Sequence, residues 1–291
     1  MTTGRLILGA TPLGQPGDAS KRLVDALSTA DVVAAEDTRR VRTLAQSLDV
    51  RISGRVVSLF DQNEAARVPA LIDDIKAGAT VLVVSDAGMP LINDPGYRLV
   101  SACIEEGVAV SCLPGPSAVT TALAVSGLAS DRFCFEGFAP RKQSARRTWL
   151  AALAAEQRTC VFFESPRRLA DCLHDAVDEL GGQRRAVVCR ELTKVHEEIR
   201  RGTLTELAQW ADEKVLGEIT VVLAGAVPTT DLPSLLAEVD ALVADGMRVK
   251  DACARVIEAH PGAPSKRELY DAVLRSRSGG QERSDPGNVT A

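Results

Sequence analysis

Four turns rich in glycine and proline carry the residues best suited to holding a small molecule. They are Thr11-Pro12-Leu13-Gly14-Gln15-Pro16-Gly17-Asp18; Ser85-Asp86-Ala87-Gly88-Met89-Pro90, continuing to Asn93-Asp94-Pro95-Gly96; Pro114-Gly115-Pro116-Ser117-Ala118; and Phe163-Glu164-Ser165-Pro166. Glycine lets backbone groups approach a ligand closely, and proline stiffens a turn without adding an N–H. Neither GxxxxGK(S/T) nor GxGxxG occurs, so the usual phosphate cradles are missing. Turns of this kind suit a nucleoside without phosphates. S-adenosylmethionine is one such ligand, and adenosine or another nucleoside fits equally well.

Acid–base and charge-carrying residues lie nearby in sequence. Asp37 and Glu36 follow the second apolar run, and Glu191 and Lys194 follow a later one. A positioned base acting on a weakly acidic hydroxyl contributes roughly 10²–10⁴-fold, and Asp37 and Lys194 are the catalytic expectations. Positive charge gathers at Arg141, Lys142, Arg146 and Arg147, with no acid among them. It recurs at Arg39, Arg40, Arg167 and Arg168 beside the turns, and at Lys266 with Arg267. Such clusters can neutralise a nucleic-acid backbone; solvated helix faces explain any single pair as well.

The turns need a scaffold. Short apolar runs at Arg5–Gly9, Asp31–Ala35, Arg55–Leu59, Thr80–Ser85 and Val108–Leu113 read as strands, with amphipathic stretches such as Lys21–Ala30 and Tyr97–Glu106 between them. That alternation predicts a mostly parallel sheet, with ligands at the carboxyl ends of its strands. It resumes after a hinge at Gly127–Asp131, with strands at Arg132–Phe138, Thr159–Phe163, Ala186–Arg190 and Glu218–Leu223. The expected organisation is α/β: one domain over 1–127, a second over 128–226, a linker at 227–233, a helix-turn-helix-like domain over 234–275 and a disordered tail over 276–291. A plain helical cap on its neighbour is the alternative for this domain, and its three helices are expected at Ser234–Asp245, Val249–Ala259 and Ser265–Arg275.

Composition bounds the class. The 291 residues are 45% hydrophobic and 25% charged, as in ordinary globular chains. Aromatics are 3%, so Ala, Val and Leu must fill the core. No apolar run reaches the roughly 18 residues of a membrane span, and the opening MTTGRLILGATPLG is too briefly apolar for a signal peptide. A cytoplasmic location is expected. The seven cysteines form no CxxC and no zinc spacing, so they read as buried thiols, with no metal site. The net charge of −5 argues against a protein coated in nucleic acid but permits a local basic face. Indeed, Arg248–Arg277 carries seven basic residues against four acidic ones.

In order along the chain, ATPLGQPGD, AEDTRR (Ala35–Arg40), SDAGMPLINDPGYRLV, LPGPSA, DRFCFEGFAPRK, FFESPRRL and CRELTK (Cys189–Lys194) resemble the bacterial 16S rRNA cytidine 2′-O-methyltransferases. The similarity runs from about Arg5 to Ala224. It implies two α/β domains of the tetrapyrrole-methylase-like fold with S-adenosylmethionine between them, and a homodimer. The implied partner is small-subunit rRNA or the 30S particle, methylated near the ribosomal P site, with no DNA and no membrane. It further implies donor contacts from Leu13, Asp86, Met89, Ser117, Ala118 and Phe163, with Gly217, Glu218 and Ile219 closing the second-domain side. A fixed carboxylate against the donor sulfur would favour the ground state, so Asp86 is expected on another part of the donor. Gln15, Met89, Arg167 and Leu216 depart from the family pattern; Met89 points to a backbone-only contact, and Leu216 removes one RNA-facing charge.

Two other readings remain open. The same fold methylates tetrapyrrole carbons and a modified histidine of a translation factor, and a donor-sensing DNA-binding regulator would also use C-terminal helices. The AEDTR and SDAG blocks favour RNA, recognised by shape and by an unstacked nucleotide.

Overall fold

The computed structural model describes residues 4–227, 232–260 and 263–278. The chain divides into two compact units, Met1–Gly225 and Ala226–Ala291. The first begins with β1 (Arg5–Gly9), α1 (Lys21–Thr29), β2 (Val32–Ala35), α2 (Thr38–Ser47), β3 (Arg55–Ser58) and α3 (Asp61–Lys76). It continues through β4 (Thr80–Val84), α4 (Tyr97–Glu105), β5 (Ala109–Leu113) and α5 (Ala118–Ser126). The strands form a parallel sheet in the order β3-β2-β4-β1-β5. Apolar layers cover both of its faces, which is why β2 (VVAA) and most of β4 (TVLVV) are unbroken apolar runs. Gly9 pairs with both Val84 and Leu113, and Ala35 with Val84. The turns after β1, β2, β4 and β5 therefore leave one edge together.

The second half of this unit contains β6 (Phe133–Phe138), α6 (Gln143–Ala152), β7 (Thr159–Glu164), α7 (Leu169–Leu180), β8 (Arg185–Arg190), β9 (Glu198–Thr203), α8 (Leu204–Ala211) and β10 (Ile219–Leu223). Its sheet runs β6-β7-β10-β8-β9 and is parallel only between β6 and β7. Fully buried β10 (ITVVL) lies at its centre. Helices α6, α7 and α8 cover one face, around Leu150, Leu169, Leu173 and Leu204. On the other face α5 packs against Val161, Val187 and Val222, and Leu13 of the first half joins that cluster. The two halves thus share a core.

The second unit holds α9 (Leu232–Ala244), α10 (Val249–Ala259) and α11 (Lys266–Ser278) around Leu235, Val239, Cys253, Val256 and Leu269. Of the expected linker, 228–231 lie outside the described residues, and Leu232 and Pro233 already belong to α9. Of the expected tail, 276–278 complete α11, and 279–291 lie outside the described residues. Among the described residues no helix is long and apolar enough to cross a membrane.

Candidate active site

The turns after β1 and β4 are stitched to each other. Thr11 N donates to Gly88 O (2.8 Å), Gly88 N donates back to Thr11 O (3.0 Å), and Thr11 Oγ1 donates to Ser85 O (3.2 Å). Gly88 has φ +85°, and a Cβ there would stand 3.2 Å from Leu13 Cδ2, so glycine is what lets the two turns touch. The far end of the long β4 turn is held by Glu64 of α3. Its buried carboxylate accepts from Gly96 N (3.1 Å) and Arg98 N (2.8 Å), capping α4 from another helix.

An equally fixed wall faces it from the second half. Glu191 Oε1 accepts from Glu218 N (2.8 Å), and Glu191 N donates to Glu218 O (3.0 Å). Gly217, at φ +94°, lies so close to the Glu191 side chain that any Cβ would overlap it. Lys194 Nζ donates to Glu191 Oε1 (2.9 Å) and pairs with Glu218 Oε2 (3.1 Å), while its alkyl chain rests on Gly14 of the first half. Among the described residues, five non-glycine positions have positive φ, and four are in these turns: Leu91, Asn93, Glu191 and Thr193. Such conformations cost on the order of 1–3 kcal/mol each and concentrate at functional sites.

Between the walls is a cavity of about 410 Å³. Leu13, Asp86, Met89, Ser117, Ala118, Phe163, Gly217, Glu218 and Ile219, the residues the resemblance singled out as donor contacts, all line it. The lining also includes Glu36, Arg40, Ile92, Asn93, Asp94 and Phe138. One side is acidic. Asp86 Oδ1 accepts from Asp37 N (3.0 Å), Glu36 Oε2 accepts from Asp86 N (3.2 Å), and Arg40 Nε lies 3.4 Å from Asp86 Oδ2. Burial, reinforced by the charge of Glu36, pushes Asp94 up to about 7, and burial also raises Glu36. Three acidic groups against one guanidinium favour a cation over a phosphate here.

The expected catalytic and RNA-binding residues fall in different surroundings. Asp37 is the N-cap of α2: its Oδ1 accepts from Arg39 N (2.8 Å) and its Oδ2 pairs with Arg39 Nη2 (2.8 Å). The Arg39 hydrogen bond holds it down at about 2, so it is ionised at neutral pH, and it is absent from the cavity lining. Lys194 is a clamp between Glu191, Glu218 and Gly14; its two carboxylate partners outweigh the cost of burial and raise its pKa, so it stays protonated. Arg146 is 3% exposed, with Asp175 Oδ2 at 2.8 Å from Nε and 2.6 Å from Nη2, and is therefore core rather than RNA surface. Arg147 is bound to Asp178 (2.9 Å) and Glu179 (2.7 Å), and Arg168 to Glu164 (2.5 Å) and the Ala139 carbonyl (3.3 Å). The run that looked free of acids meets its acids on α7. Arg39, Arg40, Arg141, Lys142 and Arg167 are exposed in the first unit, as are Lys266 and Arg267 in the second.

The sequence reading passed over Asp94, Phe138 and Glu64 as individual residues. Asp94 and its proline were visible within a turn already singled out; Glu64 carried no local signal.

Residues 5–208 match the family described as Tetrapyrrole (Corrin/Porphyrin) Methylases. The chain is 71% identical to a Mycobacterium tuberculosis protein named ribosomal RNA small subunit methyltransferase I, over 95% of this chain and 97% of that one. It is 41% identical to the protein of that name from Escherichia coli O157:H7, covering 94% and 96%. The fold is also similar to a crystal structure of uroporphyrin-III C-methyltransferase from Thermus thermophilus complexed with S-adenosylhomocysteine. The TM-score is 0.52 at 19% identity, covering 75% of this chain and 97% of that one.

Proposed function

The chain belongs to the tetrapyrrole (corrin/porphyrin) methylase family, and from that premise we propose that it methylates small-subunit ribosomal RNA from S-adenosylmethionine. The finer reading is transfer to the ribose 2′-hydroxyl of a cytidine in the P-site region of 16S rRNA, by a cytoplasmic homodimer. The observation that carries it is the convergence of the turn residues on one cavity with an acidic side.

S-adenosylmethionine, when bound, supplies a methyl carbon made electrophilic by a sulfonium. The residues present fit it. Gly88 and Gly217 leave the backbone approachable, Leu13, Met89, Ala118, Phe163 and Ile219 offer apolar contact, and Glu36 with Asp86 complements a cationic ligand. Rigid placement of this kind supplies several kcal/mol by alignment. Asp94, which lines the cavity and is raised by burial to about 7, is a candidate acceptor for the hydroxyl proton beside Asp37 and Lys194. The phosphate contacts come from the exposed cations Arg39, Arg141, Lys142 and Arg167, with Lys266 and Arg267, while Arg40 faces Asp86 in the cavity.

The test is methyl transfer from labelled S-adenosylmethionine to 30S particles, and to naked rRNA, from a strain lacking the enzyme. The product is mapped by resistance to alkaline cleavage, which a 2′-O-methyl group confers. A single protected cytidine is expected; a label on a base carbon, or on a porphyrinoid and not on RNA, overturns the reading. Reversing Arg141 and Lys142 to glutamate should weaken RNA binding and flatten its salt dependence by about two charges' worth of slope. Unchanged donor affinity is expected in the same variant.

A further inference from the structure

The chain is poor in aromatic side chains, yet three of its six phenylalanines meet at the cavity. Phe163 lines it, Phe135 packs edge-on against Phe163 with ring centroids 5.0 Å apart, and Phe138 lies 5.4 Å from Phe163 at an interplanar angle of 60°. Phe138 also lines the cavity and is 52% exposed. A large apolar ring half open to water costs hydration free energy unless something covers it in use.

Its position is the product of a backbone irregularity. In β6, Phe135 pairs with Val161, but Phe138 pairs with Phe163, so the strand contains one extra residue over that interval. In regular register Phe138 would stand opposite Glu164. The side chains of Phe162 and Glu164 belong to the helix-covered face, among Leu150, Leu169 and Cys172, and Phe138 would be buried there. The bulge shifts the parity and turns Phe138 to the face of Phe163, as bulges beside active sites do. Gly137 makes this possible. Its φ is +70°, and a Cβ there would approach Asn93 Oδ1 to 3.2 Å, so the bulge abuts the strained β4 turn from the other half. Ile92 of that turn is also a lining residue and 38% exposed.

We propose that Phe138 is the stacking surface for the nucleobase of the nucleotide being methylated. The inference rests on the rRNA reading above. A ribose inside a folded RNA reaches an enclosed methyl donor only when its nucleotide is unstacked, and the exposed base then needs a flat apolar partner. Phe138 presents such a face to solvent at the cavity, whereas Phe163 is half-buried within it. The acceptor base, which a folded RNA delivers from outside, belongs on the outer ring.

The experiment compares Phe138→Ala, Phe138→Leu and Phe138→Trp with the parent. It measures donor affinity by calorimetry without RNA, then KM and kcat for 30S particles, with sedimentation and thermal melting as controls. Base–aromatic stacking strengths predict a rise in acceptor KM on the order of 10- to 100-fold for Ala. Leu, apolar but not flat, should fall near Ala, and Trp should return to within about threefold of the parent. The indole of Phe138→Trp should be quenched by a cytidine-containing RNA fragment and not by donor alone. Weakened donor binding with unchanged acceptor KM would place the donor's adenine over the ring and overturn the proposal. Conversion of dimer to monomer by Phe138→Ala would do the same, by assigning the ring to a subunit interface. Parent-like acceptor KM in all three variants also overturns it, while parent activity on 30S particles leaves the rRNA reading standing. Loss of the rRNA reading itself would appear as a parent enzyme inactive on RNA.

Discussion

Arg146 gives the sharpest test of the reasoning, because sequence and structure assign it opposite places. Arg146 and Asp175 side chains are each 4% exposed, joined by contacts of 2.8 and 2.6 Å, and Gln143 Nε2 donates to the second carboxylate oxygen at 3.0 Å. Replacing Arg146 by Ala leaves the Asp175 carboxylate buried and facing only Gln143 and the more distant Arg147 (3.7 Å). Breaking a buried pair in this way costs about 3–5 kcal/mol. In a unit of this size each kcal/mol lowers the melting temperature by about 2–4 °C, so a loss of roughly 6–20 °C is expected. Exposed Arg141→Ala should change stability by no more than about 0.5 kcal/mol. The assay is thermal and urea denaturation of Arg146→Ala, Asp175→Ala and the pair Arg146→Met/Asp175→Leu. The double variant should recover most of the loss, since a matched apolar pair needs no charge compensation. An Arg146→Ala protein that melts within about 2 °C of the parent yet binds RNA poorly refutes the burial argument and restores the surface role.

Two further outcomes follow from the cavity. Folding raises Asp94 from an ordinary value of about 4 to about 7, so between those values the folded chain holds a proton that the unfolded chain has released. Stability should therefore fall as pH rises through that window and level off above it, and Asp94→Asn should remove this slope in urea titrations at about pH 5 and pH 8. A cationic donor favours the ionised carboxylate, so calorimetry should show donor affinity rising across the same interval; a flat profile sinks the assignment. Gly217→Ala meets both a φ of +94° and the Glu191 side chain, and should cut donor affinity by about tenfold or more. Gly107→Ala is the control: it has a positive φ of +67° but nothing within 4 Å, so it should cost stability alone.

How far the sequence could be read depends on the range of the interaction concerned. Buried strands announce themselves locally, and the apolar runs of β2, β4 and β10 fall within a residue of their expected bounds. The turns were equally plain, because glycine and proline act on their own backbone. Strand β9 (EIRRGT) was missed, since an edge strand with exposed arginines has the composition of a loop. The antiparallel pairing of the second sheet was invisible for a similar reason: orientation follows from connections, not from strand composition. Arg146 misled because local charge counting cannot register Asp175, which a different helix delivers. Asp94 owes its perturbed proton affinity to burial and to Glu36, from another strand's end. The parity of Phe138 hung on a single inserted residue.

The left-handed residues Leu91, Asn93, Glu191 and Thr193 set a limit on how this protein can be improved. Glycine at any of them would relieve torsional cost while adding freedom to the unfolded chain, and at Glu191 it would also remove the carboxylate that holds Glu218 N and Lys194. Each would also slacken a rim of the binding cleft. Stabilising efforts therefore belong in the helices behind the sheets, leaving both rims untouched.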